Sequence, residues 1–387
     1  MQVDLTDERA FAGTAFWESL ALLRRHRPVY WNPDPDGGFW ALTRYADITA
    51  VYGDTATFSS RFGMRLGSNP AAVASVAGRM LIVTDPPDHT RLKRVLAPAF
   101  TAAELHSMEG SIEQVVRELV TEAVAAEKLD FLDCAAQIPT RVACAMMGVA
   151  RRDWDWLGHT TTEAFEAGDE QARAHANAEI FLFFADLLAH RRAHPGADLL
   201  SRIADTDLSD EEVIVNCSGV LAGANETTRY SAAGAVLAFM EYLEHWRLLR
   251  AQRDDVLPSA VEEVLRWTVP GMHVLRTAVR DTEIGGVQIR SGDRVTLWNG
   301  SANRDEAVFS EPDRFLITRT PNRHLGFGTG RHLCLGARLA RLELTALLRE
   351  LSTQVAEISS TGTAEFNASN FTWGLRSLPV HLTADLR

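Results

Sequence analysis

Four cysteines are the residues of this 387-residue chain best able to do unusual chemistry, and Cys334 alone sits in sequence that looks built to use it. Cys134, Cys144 and Cys217 fall in apolar helical sequence, the setting of a buried, inert thiol. No CxxC pair exists, so neither a zinc site nor a disulfide framework is suggested. Cys334 stands in HLGFGTGRHLCLGARLARLEL (324–344), where glycine-rich sequence runs into a helix. Two chemistries compete for such a loop. A phosphate cradle needs a buried strand before the glycines and a βαβ continuation after them. Here the preceding ITRTPNR is polar and turn-like, and no Gly-Lys-Ser/Thr follows. A loop presenting one sulfur explains more residues. Cys334 lies at the entrance of a helix, whose first-turn N–H groups and dipole favour a thiolate. Gly330 and Gly336 are expected to let the backbone fold tightly around the sulfur, and Phe327 to cover it from water. Those features tune a metal-bound thiolate.

A second constellation is GANETT (223–228), which sets Glu226 and Thr227 side by side, a carboxylate and a hydroxyl suited to passing protons through water. It interrupts a long helix. Ser209 and Glu212 form a capping-box pattern, and apolar periodicity then runs from Val213 to about Leu243. Gly219 and Gly223 each cost that helix about 1 kcal/mol against alanine. Close packing of a crossing helix explains such glycines, and so does a small or flat group approaching the turn. Elsewhere Glu263 and Arg266 are spaced i,i+3, worth about 0.2–0.5 kcal/mol on an exposed face. His89 and Lys93 lie four apart on one helix face.

The elements that position these residues are mostly helical. GGFWALTRY (37–45) reads as a strand after a turn. From about 86 to 270 the pattern is helical, and from 273 to 300 it alternates, with Gly285-Gly286 and Ser291-Gly292 as turns. Helix returns after Cys334, and SNFTWGLRSLPVHL reads as a final hairpin. The order predicts one large, mainly α domain with small sheets, and no repeated βαβ alternation.

With these residues in place, the chain resembles a known family. FGTGRHLCLG (327–336) is similar to the haem-binding signature of the cytochrome P450s, with Cys334 at the proximal iron ligand. GANETT resembles their oxygen-activating segment, which implies Glu226 and Thr227 over the distal face and a threonine that helps open a bulge in the helix. Gly223-Ala224 departs from the usual Ala-Gly order. EEVLRW supplies the family's Glu-x-x-Arg, and EPDRF (311–315) resembles the segment whose arginine, here Arg314, completes a buried charge network with Glu263 and Arg266. DPPDHTRLKRVLAPAF (85–100) implies propionate contacts from His89 and Lys93, with lysine in place of the usual arginine and its planar fork. Arg276 and His332 resemble the remaining propionate partners. The motifs run in family order from about residue 40 to 380.

The resemblance implies a single cytochrome P450 domain over 1–387, haem b as cofactor, and insertion of one oxygen atom into an organic substrate. Hydroxylation of a bacterial secondary-metabolite intermediate derived from amino acids, peptides or polyketides is expected first. Oxidative C–C, C–N or C–O coupling without oxygen retention is the alternative, and a non-catalytic docking module the remote one. Electrons are expected from a ferredoxin and its reductase, docking on a basic face made by Arg91, Lys93, Arg94, Arg331, Arg338 and Arg341. The resemblance places the substrate, free or carrier-protein-bound, against Met64, Leu66, Val220, Ala224, Asn225, Val274 and Trp373, with contributions from the 160–185 helices. Arg65 and Asn69 join Asn225 as candidate polar contacts.

Composition agrees with this class. The net charge of −12 argues against a nucleic-acid footprint over the whole surface. No apolar run reaches the length of a membrane span, and the polar, acidic N-terminus lacks signal-peptide order. A cytoplasmic enzyme without a membrane or nucleic-acid partner is expected, and the missing CxxCH argues against covalently attached haem.

Overall fold

The computed structural model describes residues 3–126, 128–166 and 169–385. The expected 1–387 domain and the 160–185 pocket stretch are therefore seen without the positions outside those ranges. The longest element is the central helix, Asp210–Glu241, which starts where its sequence says it must. The Ser209 hydroxyl accepts from the Glu212 amide, and the Glu212 carboxylate accepts from the Ser209 amide at 2.9 Å. Asp210, Glu211 and Glu212 crowd the first turn, where the helix dipole favours negative charge.

Two glycines in this helix have different causes. A Cβ on Gly219 would sit 2.7 Å from Met80 Cε, so glycine there allows close packing. A Cβ on Gly223 would meet nothing within 4 Å, and Gly223 is exposed in mid-helix. Around the central helix pack Phe131–Met146, Trp154–Glu166, Glu170–Ala193, Arg253–Thr268 and Ala337–Gln354. Their apolar faces meet in one large core that includes Phe131, Phe184, Phe239 and Phe315, each fully buried. Burying a side chain of that kind is worth about 1.5–3 kcal/mol.

Of the four strands in 273–300, Thr282–Ile284 and Val287–Ile289 make a separate two-stranded hairpin about Gly285-Gly286, while the other two and the strands near the N-terminus form one sheet. Its order is Val29–Asn32, Phe39–Leu42, Arg294–Trp298, His273–Ala278, Phe58–Ser59. Phe39–Leu42 runs parallel to Arg294–Trp298, with Trp40 opposite Val295, and the other neighbours are antiparallel. The C-terminal strands are not the single hairpin expected. Leu375–Ser377 pairs with Glu365–Phe366, and Pro379–Ala384 pairs with both Val355–Ser360 and Leu129–Asp130. Only Leu378 separates Ser377 from Pro379, too little chain for a hairpin turn, so the chain changes sheets instead of turning back on itself.

Candidate active site

The Cys334 loop is held from three sides. The Cys334 amide donates to the Phe327 carbonyl at 3.0 Å, closing the loop on itself. Gly330 adopts φ +70°, and a Cβ there would lie 2.8 Å from the Tyr52 carbonyl, so glycine is required on both counts. Lys93, from the Asp88–Leu96 helix, donates its ammonium to the carbonyls of Arg331 and Leu333. Lysine in the expected propionate position thus ties its helix to the cysteine loop. Gly336 corrects the expectation of a tight glycine turn. Its φ is ordinary and a Cβ would touch nothing within 4 Å; what it brings to the sulfur is its amide N–H.

Cys334 is exposed, whereas the other three cysteines are buried. Burial pushes the Cys134 and Cys144 thiols up to about 12 and that of Cys217 higher still, so those three are inert. Although Cys334 keeps accessible surface, the protein packed around its sulfur still pushes the thiol up by desolvation, while the Gly336 amide and the Lys93 and Arg341 charges pull it down. Position at a helix entrance therefore does not by itself yield the expected thiolate. A bound metal cation deprotonates a coordinating thiol outright, and here the groups that steady the resulting charge are already in place.

Beside the loop lies a cluster of donors. The His89 and His332 rings are 4.2 Å apart, and His332 Nε2 is 3.2 Å from Ser60 Oγ. Arg276, on strand His273–Ala278, is buried with its guanidinium 5.7 Å from the Tyr52 ring. Burial, joined by the charges of Lys93 and Arg331, holds His89 down to about 4. Burial, joined by Arg276, His89 and Lys93, holds His332 down to about 3. Both imidazoles are neutral near pH 7, yet each carries an N–H to donate. Asp85 is the acid nearby, and it is engaged by the Ser59 hydroxyl and the Ser60 amide. A cluster this rich in donors and poor in acceptors suits incoming carboxylates.

On the central helix, one face is accessible. Val220, Gly223, Ala224 and Thr227 recur at helical spacing and all keep exposed surface, while Leu221, Asn225 and Glu226 are buried. Thr227 donates its hydroxyl to the Gly223 carbonyl at 2.9 Å, and the helix runs unbroken through the segment. The expected bulge is therefore absent from the helix as described, the hydroxyl satisfying Gly223 without opening the turn. Neighbours in an α-helix point about 100° apart, so Glu226 and Thr227 do not share this face. Glu226 is instead paired with Arg229 at 2.7 Å, and Arg229 also donates to the Tyr230 hydroxyl at 2.9 Å and to Thr162 Oγ1 at 3.2 Å.

Three further expectations are corrected. Asn225 does not reach the accessible face: its Oδ1 accepts from Thr140 at 2.6 Å and ties the central helix to Phe131–Met146. Trp373 is 9% exposed, donates to the Gly13 carbonyl and stacks on Phe366, which places it with the N-terminal residues. Arg314 does not complete the Glu263–Arg266 network with its side chain, which is 56% exposed and pairs with Glu311. Arg319 does, reaching Glu263 at 3.0 Å, and Arg314 supplies only its backbone carbonyl to Arg266. The reason is chain direction: residues 311–316 wrap the end of the helix with carbonyls inward, leaving the Arg314 side chain in solvent.

The remaining pocket residues sit where the loop before the Pro70–Val76 helix meets the sheet. Leu275 donates its amide to the Met64 carbonyl at 2.8 Å, and the Leu66 amide is 3.2 Å from His273 Nε2. Arg65 lies over the Phe165 and Phe371 rings, and Asn69 caps Pro70–Val76 while bonding Glu170. Val274 packs half-buried against the sheet's core. Sequence reasoning missed Tyr52, Asp85, Arg229, Arg319 and the buried Glu343. Only Arg229 left a signal, the i,i+3 spacing from Glu226.

These residues fit a haem on two independent observations: one exposed cysteine whose sulfur is approached by the Gly336 amide N–H and lies in the field of Lys93 and Arg341, and a donor cluster that suits two propionates. The sequence model described as cytochrome P450 matches residues 146–353. The putative cytochrome P450 126 of Mycobacterium tuberculosis is 37% identical, over 98% of this chain and 97% of that protein. Linalool 8-monooxygenase of Pseudomonas putida is also 37% identical, over 94% of each. The solved structure of P450 OxyD, involved in the biosynthesis of vancomycin-type antibiotics, superposes with a TM-score of 0.92 at 34% identity, covering 99% of this chain and 100% of that one. Sequence, fold and the setting of Cys334 agree, and the chain belongs to the cytochrome P450 family of haem-dependent oxidoreductases.

Proposed function

We propose that this P450 hydroxylates a small intermediate of bacterial specialised metabolism, derived from an amino acid, peptide or polyketide. The observation that carries the chemistry is Cys334, exposed and met by the Gly336 amide, Lys93 and Arg341. Held through that sulfur, haem b would supply dioxygen activation, with thiolate electron density favouring O–O cleavage. His89, Arg276 and His332 would hold its propionates, and Lys93 would act through the loop it pins. Thr227 Oγ1, on the accessible face, is placed to relay a proton, and Glu226 to replenish it once its carboxylate leaves Arg229. Met64, Leu66, Val220, Ala224 and Val274 would form the apolar side of the substrate pocket.

The likeness to an antibiotic-pathway P450 supports specialised metabolism as the setting. Electrons would come from a ferredoxin and its reductase. Within the expected basic face, Arg91 is paired with Glu212 and Arg341 with Glu262, so Arg94, Arg331 and Arg338, all exposed, would carry the steering of an acidic partner. No helix among the described residues is long and apolar enough to cross a membrane, which is compatible with a cytoplasmic enzyme acting as one domain.

The test is an optical titration of the haem-loaded ferric protein with amino acids, dipeptides, aromatic polyketides, macrolides and carrier-bound amino acids. A low-to-high-spin shift with one class identifies the substrate; shifts with carrier-bound compounds alone place the reaction on an assembly line. Labelled dioxygen then separates hydroxylation, which retains the label, from coupling, which does not. Loss of the thiolate-type spectrum of the reduced, CO-bound protein in Cys334→Ser is expected, and its survival would overturn the assignment of the ligand.

A further inference from the structure

A second cavity, of about 420 Å³, lies away from Cys334 and Thr227. It is enclosed by the Phe16–His26 helix, the C-terminal half of the central helix, the end of Arg253–Thr268 and the 366–375 segment. Its walls are aromatic: Trp17, Tyr230, Trp267, Phe366 and Trp373. Trp373 stacks on Phe366 at 5.2 Å and meets Trp17 edge-on at the same distance, so the walls brace one another. The volume falls within the usual range of small-molecule sites, about 300–1,000 Å³.

Arg304 lines this cavity and is the least satisfied charge in the region. It is 4% exposed, with its guanidinium 3.5 Å from the centre of the Trp17 ring and 4.7 Å from that of Trp267. Its Nη2 donates to the Trp267 carbonyl at 3.3 Å, while Nη1 has no hydrogen-bond partner among the described residues. Burial, together with Arg266 and Arg24 nearby, holds it down to about 9 against the opposing pull of Asp313 and Glu263. The contrast with Arg266 is direct: that buried guanidinium is matched by Glu263 and three backbone carbonyls. Asp313 and Glu263 act on Arg304 only through their fields, and no carboxylate among the described residues hydrogen-bonds it; an anion bonded to such a buried guanidinium would recover part of the cost of burying it.

Three acids line the outer part of the cavity: Glu18, Glu241 and Asp313 are all exposed, Asp313 acts on Arg304 at a distance, and partial loss of water pushes the Glu241 carboxyl up. Arg25, the other basic group, is committed to Glu306. The cavity is thus basic where it is most buried, acidic toward solvent and aromatic between. A simple anion would meet the three acids and a simple cation would meet Arg304. We propose that this cavity is a second ligand site, separate from the substrate pocket, for a small dipolar aromatic molecule of the aromatic amino-acid class. Its carboxylate lies toward Arg304, its ring against the wall made by Phe366 and Trp373, and its ammonium toward Glu241 and the mouth.

The test is calorimetric titration of L-phenylalanine into the haem-loaded ferric protein, with and without imidazole on the iron, and with the Soret band recorded in parallel. One equivalent should bind in both conditions without moving the band. Phenylacetate, which lacks the ammonium, and phenethylamine, which lacks the carboxylate, should each bind about tenfold more weakly. Arg304→Lys should weaken L-phenylalanine about tenfold by losing the planar, stacked fork. Ala21→Phe, which fills the cavity from a partly exposed helix without touching Arg304, should abolish binding while leaving the Soret spectrum unchanged. No heat with the unmodified protein, a Soret shift that imidazole suppresses, half-probes as tight as L-phenylalanine, or binding indifferent to Ala21→Phe would each overturn the proposal.

Discussion

Two buried Glu–Arg pairs of the same i,i+3 spacing sit on two helices of this protein, Glu226–Arg229 at 2.7 Å and Glu263–Arg266 at 2.8 Å. By sequence and burial they are alike; by what they hold they are not. Glu263 and Arg266 gather a whole loop, taking the carbonyls of Asn303, Pro312 and Arg314, the Leu316 amide, and the side chains of Arg319 and Asn322. Glu226 and Arg229 bond across one turn, and their further contacts include the adjacent Tyr230 and Thr162 on a neighbouring helix. The first pair cannot move without releasing some twenty residues of chain. The second borders the accessible face of Gly223 and Thr227. Under the proposed function the first pair would serve as scaffold and the second as a handler of protons, since the Coulomb energy of a buried pair alone barely repays desolvation.

Four measurements would break or sharpen that contrast. Glu226→Gln should lower turnover by about 10²–10⁴-fold with the haem spectrum nearly unchanged, and should cost less in denaturant melts than a Glu263 variant although it too leaves a buried guanidinium, Arg229, without the Glu226 carboxylate; an equal stability loss with normal turnover would erase the distinction. Glu263→Gln should do the reverse, costing about 3–5 kcal/mol in denaturant melts because Arg266 is left buried and unmatched.

Glu343 supplies a third case, a buried carboxyl with no arginine. Burial pushes it up to about 8, against which a hydrogen bond with Thr228 acts only weakly. Folded protein therefore keeps a proton that the unfolded chain, ionising near about 4.3, has lost. The native state binds more protons between those values, so stability should fall as pH rises from about 4.5 to 8. Glu343→Gln should remove that fall, leaving the variant about 2–4 kcal/mol more stable than the parent at pH 8 and little different at pH 5. Equal melts at pH 8 would show the carboxyl to be ionised in the fold. The smallest effect separates two arginines: Arg319→Ala should cost about 1.5–3 kcal/mol and Arg314→Ala under about 0.5 kcal/mol. Equal losses would restore Arg314 to the network.

Much of the site was legible because its signals are local. The Ser209–Glu212 cap, the glycine at 330 with φ +70° and the cysteine at a helix entrance depend on residues a few positions apart. Arg314 and Arg319 were confused because both flank the same wrap, and only the direction of the chain there selects which side chain turns inward. Asn225 was assigned to the pocket from its place in GANETT, although a rotation of about 100° per residue sends it to Thr140 instead. Tyr52 left no mark at all: within an apolar helix nothing announces that its carbonyl will press on Gly330.

The sequence by itself determined the chemistry of the proximal loop, the long central helix and the mainly α class, because capping, periodicity and loop glycines act over one or two turns. Only the tertiary structure decided which arginine closes the Glu263 network, which residues of the central helix face outward together, and that a guanidinium would lie buried between two tryptophans beside a second cavity. Those outcomes depend on contacts between segments hundreds of residues apart, Trp17 with Arg304 and Arg24 with Glu306 among them, and such contacts are set by packing rather than by any local pattern.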